Sequence, residues 1–168
     1  MAKRLSKKNR RLDLFGRYYA EATEDGTFFV RENGILKSPY EYVALDMLTP
    51  YCYVFYRAHE PKEDILFPDL SWFLGAIEVY EAAHFGGETG ISILAALTEE
   101  GTNFFTDEGR ELAFVPGFPR INILDDRFLV VYDPDPPGPY VKVYNFLGDL
   151  VSEGILWEAK RKALDWKP

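Results

Sequence analysis

The sequence predicts an α+β, mainly β domain: an antiparallel sheet built from three three-stranded meanders, with two or three covering helices. Three observations carry this expectation. Short runs rich in aromatic and β-branched residues are separated by Asp-Gly, Asn-Gly and other glycine turns. The layout of RYYAEATEDGTFFVRENGILKS returns 75 residues later in ISILAALTEEGTNFFTDEGRELAFV. Apolar residues fall at helical spacing in only three stretches, each between or after the meanders.

In chain order, residues 1–11 read as a basic, disordered arm and 12–168 as a single globular domain. The first meander covers about 15–37, with glycines at 26 and 34 supplying the positive φ that tight hairpin turns require. Ser38-Pro39-Tyr40-Glu41 looks like a capping box with proline at the first helical position. It predicts a helix over about 39–48, with Tyr40, Val43, Ala44 and Met47 on one face.

YCYVFYRA is bulky on both alternating faces, as a strand buried on both sides should be. A second helix is expected over about 70–84, capped by Asp69, with Leu70, Phe73, Leu74, Ile77 and Tyr80 as its stripe. The second meander covers about 91–115, with turns at Gly101 and Gly109, and the third about 127–153, through a proline-rich turn and Gly148. The tail predicts a third helix over about 155–165, burying Leu156, Ala159, Ala163 and Trp166.

Composition narrows the function classes. The 168 residues are 47% hydrophobic and 16% aromatic, enough for a buried core. No run is long and apolar enough to span a bilayer and the start lacks a secretory apolar segment, so the expectation is a soluble cytoplasmic protein without membrane partners. Cys52 is the only cysteine, which excludes an intrachain disulfide and cysteine-rich metal sites; between large apolar neighbours it reads as core filler.

Net charge is −8, unevenly spread. Lys3, Arg4, Lys7, Lys8, Arg10 and Arg11 crowd the first 11 positions, leaving 13 basic residues against 27 acidic ones in the body. Such an arm can contact phosphates of nucleic acid, or stay solvated beside a body that repels them.

Gly26, Phe29, Gly34, Leu36, Pro39, Tyr40 and Val43, with Gly101, Phe104, Gly109, Leu112, Pro116, Phe118 and Ile121 as a second copy, form a pattern that resembles the WG-repeat proteins of bacteria, tandem β-hairpin repeats. The Trp-Gly dipeptide of that family is absent here. The resemblance implies a β-rich binding scaffold and brings no catalytic residues.

Candidate chemistry is sparse. His84 and Glu88 flank a flexible Gly86-Gly87, a possible metal pair that lacks a third ligand and is equally a capped loop. Asp125-Asp126 and Asp133-Asp135 are paired carboxylates of the kind used for acid-base work or hard cations, but here they occupy turns. Tyr18, Tyr19, Phe28, Phe29, Tyr51, Tyr53, Phe55 and Tyr56 could stack bases, yet basic interleaving is thin and core packing explains them.

No catalytic residue, metal or cofactor is assigned. The function expected is a non-catalytic acidic protein-interaction module, of inhibitor, immunity or regulatory type, whose partner is another protein, basic by charge complementarity. Asp133, Asp135 and Tyr140, in and beside a stiff proline-rich turn, are its candidate partner-binding residues. The alternatives are a carboxylate/His-dependent hydrolase-like enzyme and a nucleic-acid accessory protein using the arm.

Overall fold

The computed structural model describes residues 2, 4, 5, 10–85, 90–132 and 140–167. It is mainly antiparallel β, and the chain divides into two compact units, Met1–Glu78 and Val79–Pro168.

Unit 1 is one sheet. β1 (Arg11–Leu14), β2 (Tyr18–Ala22) and β3 (Phe28–Glu32) run antiparallel, and the two-residue β4 (Ile35–Leu36) pairs one end of β3. The other end of β3 meets β5 (Tyr42–Thr49) through Phe28 and Tyr42, and the sheet continues through β6 (Cys52–Arg57), β7 (Glu63–Leu66) and β8 (Trp72–Ala76). β6 is buried on both faces, as its sequence predicts.

One face of this sheet carries an aromatic core. Phe28, Tyr42 and Phe55 are fully buried, with ring centroids 5.0 to 6.1 Å apart, and Trp72 stacks parallel to Tyr42. Such ring pairs contribute about 0.5–1.5 kcal/mol each beyond area burial. Leu5 is buried in the same cluster, and the Arg10 carbonyl accepts from Ala22 N.

Two expected helices are strands. Over 39–48, β5 carries bulges between Tyr42 and Ala44 and between Met47 and Thr49. The first bulge shifts the period-two alternation by one residue, so the buried Tyr42 and Leu45 stand three apart on the core face, a helix-like spacing, while Ala44 and the exposed Met47 of the expected stripe fall on opposite faces. Ser38 caps no helix: its hydroxyl accepts Tyr40 N and bonds the Tyr42 hydroxyl at 2.6 Å. Over 70–84, the chain forms β8 and β9 (Glu78–Phe85). Leu70 and Gly75 have φ of 68° and 84°, which no α-helix admits, and Asp69 accepts from Ser71 N as a local turn rather than an N-cap.

Unit 2 stacks two four-stranded sheets and a helix. β9 is followed by β10 (Ile91–Leu97), β11 (Thr102–Thr106) and β12 (Glu111–Val115) in one sheet. The other is β13 (Ile121–Leu124), β14 (Phe128–Tyr132), β15 (Tyr140–Asn145) and β16 (Leu150–Ile155). In β14, Leu129 and Val131 pack with Ile93, Ala95 and Phe104 of the first sheet. Its alternate residues Phe128 and Val130 pack with Ala159 and Ala163 of α1 (Leu156–Leu164), the one expected helix that forms. The sheets are larger than the three-stranded meanders expected: β2, β3 and β4 belong to an eight-stranded sheet, and β10–β12 and β14–β16 each take a fourth strand, β9 and β13.

The glycine turns sort differently from their spelling. Thr23 N bonds Thr27 O while Gly26 N bonds Thr23 O, closing a three-residue loop with Gly26 at φ 85°. The same two bonds close Thr106–Arg110 around Gly109 and Asn145–Asp149 around Gly148. TEEG at 98–101 instead closes Thr98 N on Gly101 O, a two-residue loop. Gly26 and Gly101 therefore occupy the same connection between strands, but Gly26 matches Gly109 in geometry.

Candidate functional site

A buried polar cluster lies in unit 1. In β6, Tyr53, Phe55 and Arg57 alternate onto the core-facing side, so Arg57 enters a side of the sheet that cannot leave a charge unpaired. Asp64 of β7, fully buried, answers it. Arg57 Nε and Nη2 donate to the two Asp64 oxygens at 2.9 and 2.7 Å, the bidentate geometry that suits guanidinium. The Tyr42 hydroxyl donates to Asp64 at 2.8 Å and Gly75 N at 2.7 Å, giving the carboxylate four donors. Arg57 Nη1 donates to Glu60 at 2.7 Å, and its guanidinium carbon sits 3.3 Å above the Tyr40 ring.

The electrostatics follow from this packing. Burial, then the Asp64 charge, push the Tyr42 phenol well above its ordinary value, against the Ser38 hydrogen bond, which acts the other way. Burial works against the Arg57 charge, but hydrogen bonds to Asp64 and Glu60 outweigh it and hold its pKa above the usual arginine value. With its acceptors and donors matched, the cluster ties β5, β6, β7 and β8 together and offers no free base; its chemistry is structural.

A second row lies on the surface of unit 1. Glu41 accepts from Thr27 Oγ1, which bonds Thr23 Oγ1 at 2.8 Å, and its other oxygen lies 2.8 Å from His59 Nε2. The Thr27 hydrogen bond first, and His59 second, lower the Glu41 carboxyl below its ordinary value of 4.5.

His84, the histidine singled out in sequence, is on β9. Its Nδ1 lies 3.0 Å from Ser92 Oγ, and Ser92 donates to Glu81 Oε1 at 2.9 Å. Ser92, not histidine, stands in the middle of this row and directs its proton to a carboxylate, the reverse of the order in which histidine activates a serine. Glu81 Oε1 is 3.9 Å from the imidazole; Glu88, the predicted companion, lies outside the described residues. No group of three His, Cys, Asp or Glu able to hold a metal occurs among the described residues.

Asp125 and Asp126 form a tight turn with both φ at 53°, and Arg127 pairs with Asp125 at 2.6 Å. Cys52 is fully buried beside Thr49. Of the aromatic set, Phe28 and Phe55 are core, while Tyr51 is exposed.

Asp133 and Asp135 lie outside the described residues, and Tyr140 opens β15 with 43% of its surface exposed. Its cross-strand partner Ile155 is 51% exposed. On the same face of β15 and β16 follow the pairs Lys142 with Glu153 and Tyr144 with Leu150. Val141 and Val143 alternate onto the opposite face, against α1. Sequence reasoning named Tyr140 from its loop, whereas the partner row on β16 is visible only through the register.

Of the basic arm, Lys3, Lys7 and Lys8 lie outside the described residues, and Arg4 and Arg10 are exposed. Arg11 is in β1, 3.4 Å from Asp13 and 3.8 Å above the Tyr19 ring. No protein-family model matches the chain, and neither the comparison with curated proteins nor that with solved structures finds a match.

Proposed function

We propose that this chain is a non-catalytic, acidic protein-interaction module of inhibitor or regulatory type, whose partner is a basic protein. The observation that carries the reading is the exposed end of the row on β15 and β16: Tyr144 of that row packs with Leu129 and Val131 under the first sheet, whereas Tyr140 and Ile155 on the same face remain exposed, with α1 on the sheet's other side. Apolar side chains held on a sheet lose little entropy when a partner covers them. The chain's net charge of −8 steers a basic partner toward it. A resemblance to WG-repeat scaffolds agrees with a binding role.

The hydrolase alternative draws on the Glu81, Ser92 and His84 row. It stands second because Ser92 is nearly buried and its proton faces Glu81. The nucleic-acid alternative draws on the arm, whose Arg11 is already occupied by Asp13 and Tyr19.

The test is capture of basic protein partners by immobilised wild type and by Tyr140→Ala and Ile155→Asp variants. Wild type is expected to retain a partner that elutes as salt rises, and both variants to lose it with unchanged melting. A partner retained equally by both variants would overturn the role of this row. Ester hydrolysis abolished by Ser92→Ala would favour the enzyme instead.

A further inference from the structure

Helix α1 carries two apolar stripes, and the fold uses one. Ala159 and Ala163 are fully buried against β14 and β15, with Leu156 and Trp166 packed partly beside them. About half a turn away, Trp157, Arg161 and Leu164 recur at i, i+4 and i+7, the spacing that aligns side chains along one helix face. Trp157 is 62% exposed and Leu164 43%. Arg161 places its guanidinium carbon 5.6 Å from the Trp157 ring centre, which holds the indole against its own helix. Tryptophan and arginine are the side chains most enriched where binding energy concentrates.

The charge of this ridge opposes that of the rest of the chain. Within α1, Lys160, Arg161 and Lys162 face a single acid, Glu158, so the helix is net +2 in a chain of net −8. We propose that the Trp157, Arg161 and Leu164 face of α1 is a second docking surface, and that it takes an acidic protein segment carrying an aromatic or aliphatic anchor. The anchor packs against Trp157 and Leu164, and carboxylates beside it pair with Arg161, Lys160 and Lys162. Single-stranded nucleic acid is the poorer match, because it has no aliphatic group for Leu164 and approaches an acidic body. This surface is separate from the β15 and β16 row and takes a partner of opposite charge, so either proposal can fail alone. Together they describe a chain that joins a basic to an acidic partner.

The probes are immobilised random copolymers: glutamate with tyrosine, glutamate alone, and lysine alone. The full chain is expected to bind the glutamate–tyrosine copolymer, more weakly the glutamate polymer, and to release both as salt rises. Trp157→Ala and Arg161→Glu should each weaken copolymer binding about tenfold or more. Lys142→Glu, on the sheet face, should leave it unchanged. Should Trp157→Ala lower the melting temperature, Arg161→Glu and Leu164→Glu carry the test, since both side chains are exposed. Unchanged binding by the α1 variants, equal binding of polylysine, or tighter binding of a single-stranded oligonucleotide through Trp157 would each overturn the proposal.

Discussion

At the scale of single residues, the buried Arg57–Asp64 pair makes the sharpest demands. Asp64→Asn removes the charge that four donors converge on and leaves the buried Arg57 with the partly exposed Glu60 as its remaining counter-ion. A loss of about 3–5 kcal/mol is expected in denaturant unfolding. A double change, Arg57→Met with Asp64→Leu, should recover part of it: the charge pair's desolvation cost disappears, but Gly75 N and the Tyr42 hydroxyl lose their acceptor; a double variant as unstable as Asp64→Asn would contradict this. Trp72 behaves in the opposite way. Its Nε1 is buried without an acceptor among the described residues, so Trp72→Phe removes an unmet donor along with some ring area. Its stability should stay within about 1 kcal/mol of wild type, whereas Phe55→Ala should cost about 3–5 kcal/mol. Glu41 sets a pH dependence. Its folded-state pKa is depressed, so its contribution is complete above the ordinary value of 4.5 and is lost as pH falls through the lower folded value. In Glu41→Gln, the decline of stability with acid should be shallower over that window, measured by urea unfolding at stepped pH.

At the scale of elements, strands carried by turn chemistry were legible in the sequence, and strands interrupted by bulges were not. Asn33-Gly34 and Asp25-Gly26 announce their hairpins because few residues other than glycine adopt the required φ without cost. β5 hid behind its two bulges, and β8 and β9 behind the apolar run Leu70 to Tyr80, in which Leu74, Ile77 and Tyr80 prove exposed. The Arg57–Asp64 cluster was missed for a related reason. Reading β6 as buried on both faces already implied that its last residue, an arginine, needs a buried carboxylate; only the β6–β7 register shows that Asp64 supplies it. Leu70 separates the two readings by experiment. Phe67 N bonds Ser71 O and Leu70 N bonds Phe67 O, the same three-residue loop as at Gly26, with leucine at φ 68° in the glycine position. Leu70→Gly should therefore stabilise the protein by about 1 kcal/mol, where a helical Leu70 would make it destabilising by a similar amount. Gly148→Ala should destabilise by more, because its φ is 87° and an added Cβ would lie 2.9 Å from the Glu111 carbonyl oxygen.

At the scale of the whole molecule, two units with separate cores predict that core damage stays local. Asp64→Asn should lower amide protection throughout β5 to β8 and leave β14, held between its neighbouring sheet and α1, at wild-type protection against hydrogen exchange. Equal loss in β14 would mean that the two cores unfold as one. The strand order holds a further consequence. Nearly every strand pairs with the one just before or after it in the chain, through connections of a few residues, and the off-path strand is the two-residue β4. Most contacts therefore close short loops, an arrangement that folds quickly for a β protein because little chain entropy is lost before each pairing forms. It also suits synthesis from the N-terminus: each hairpin of the sheet in Met1–Glu78 can form as it leaves the ribosome, without waiting for sequence from the far end of the chain.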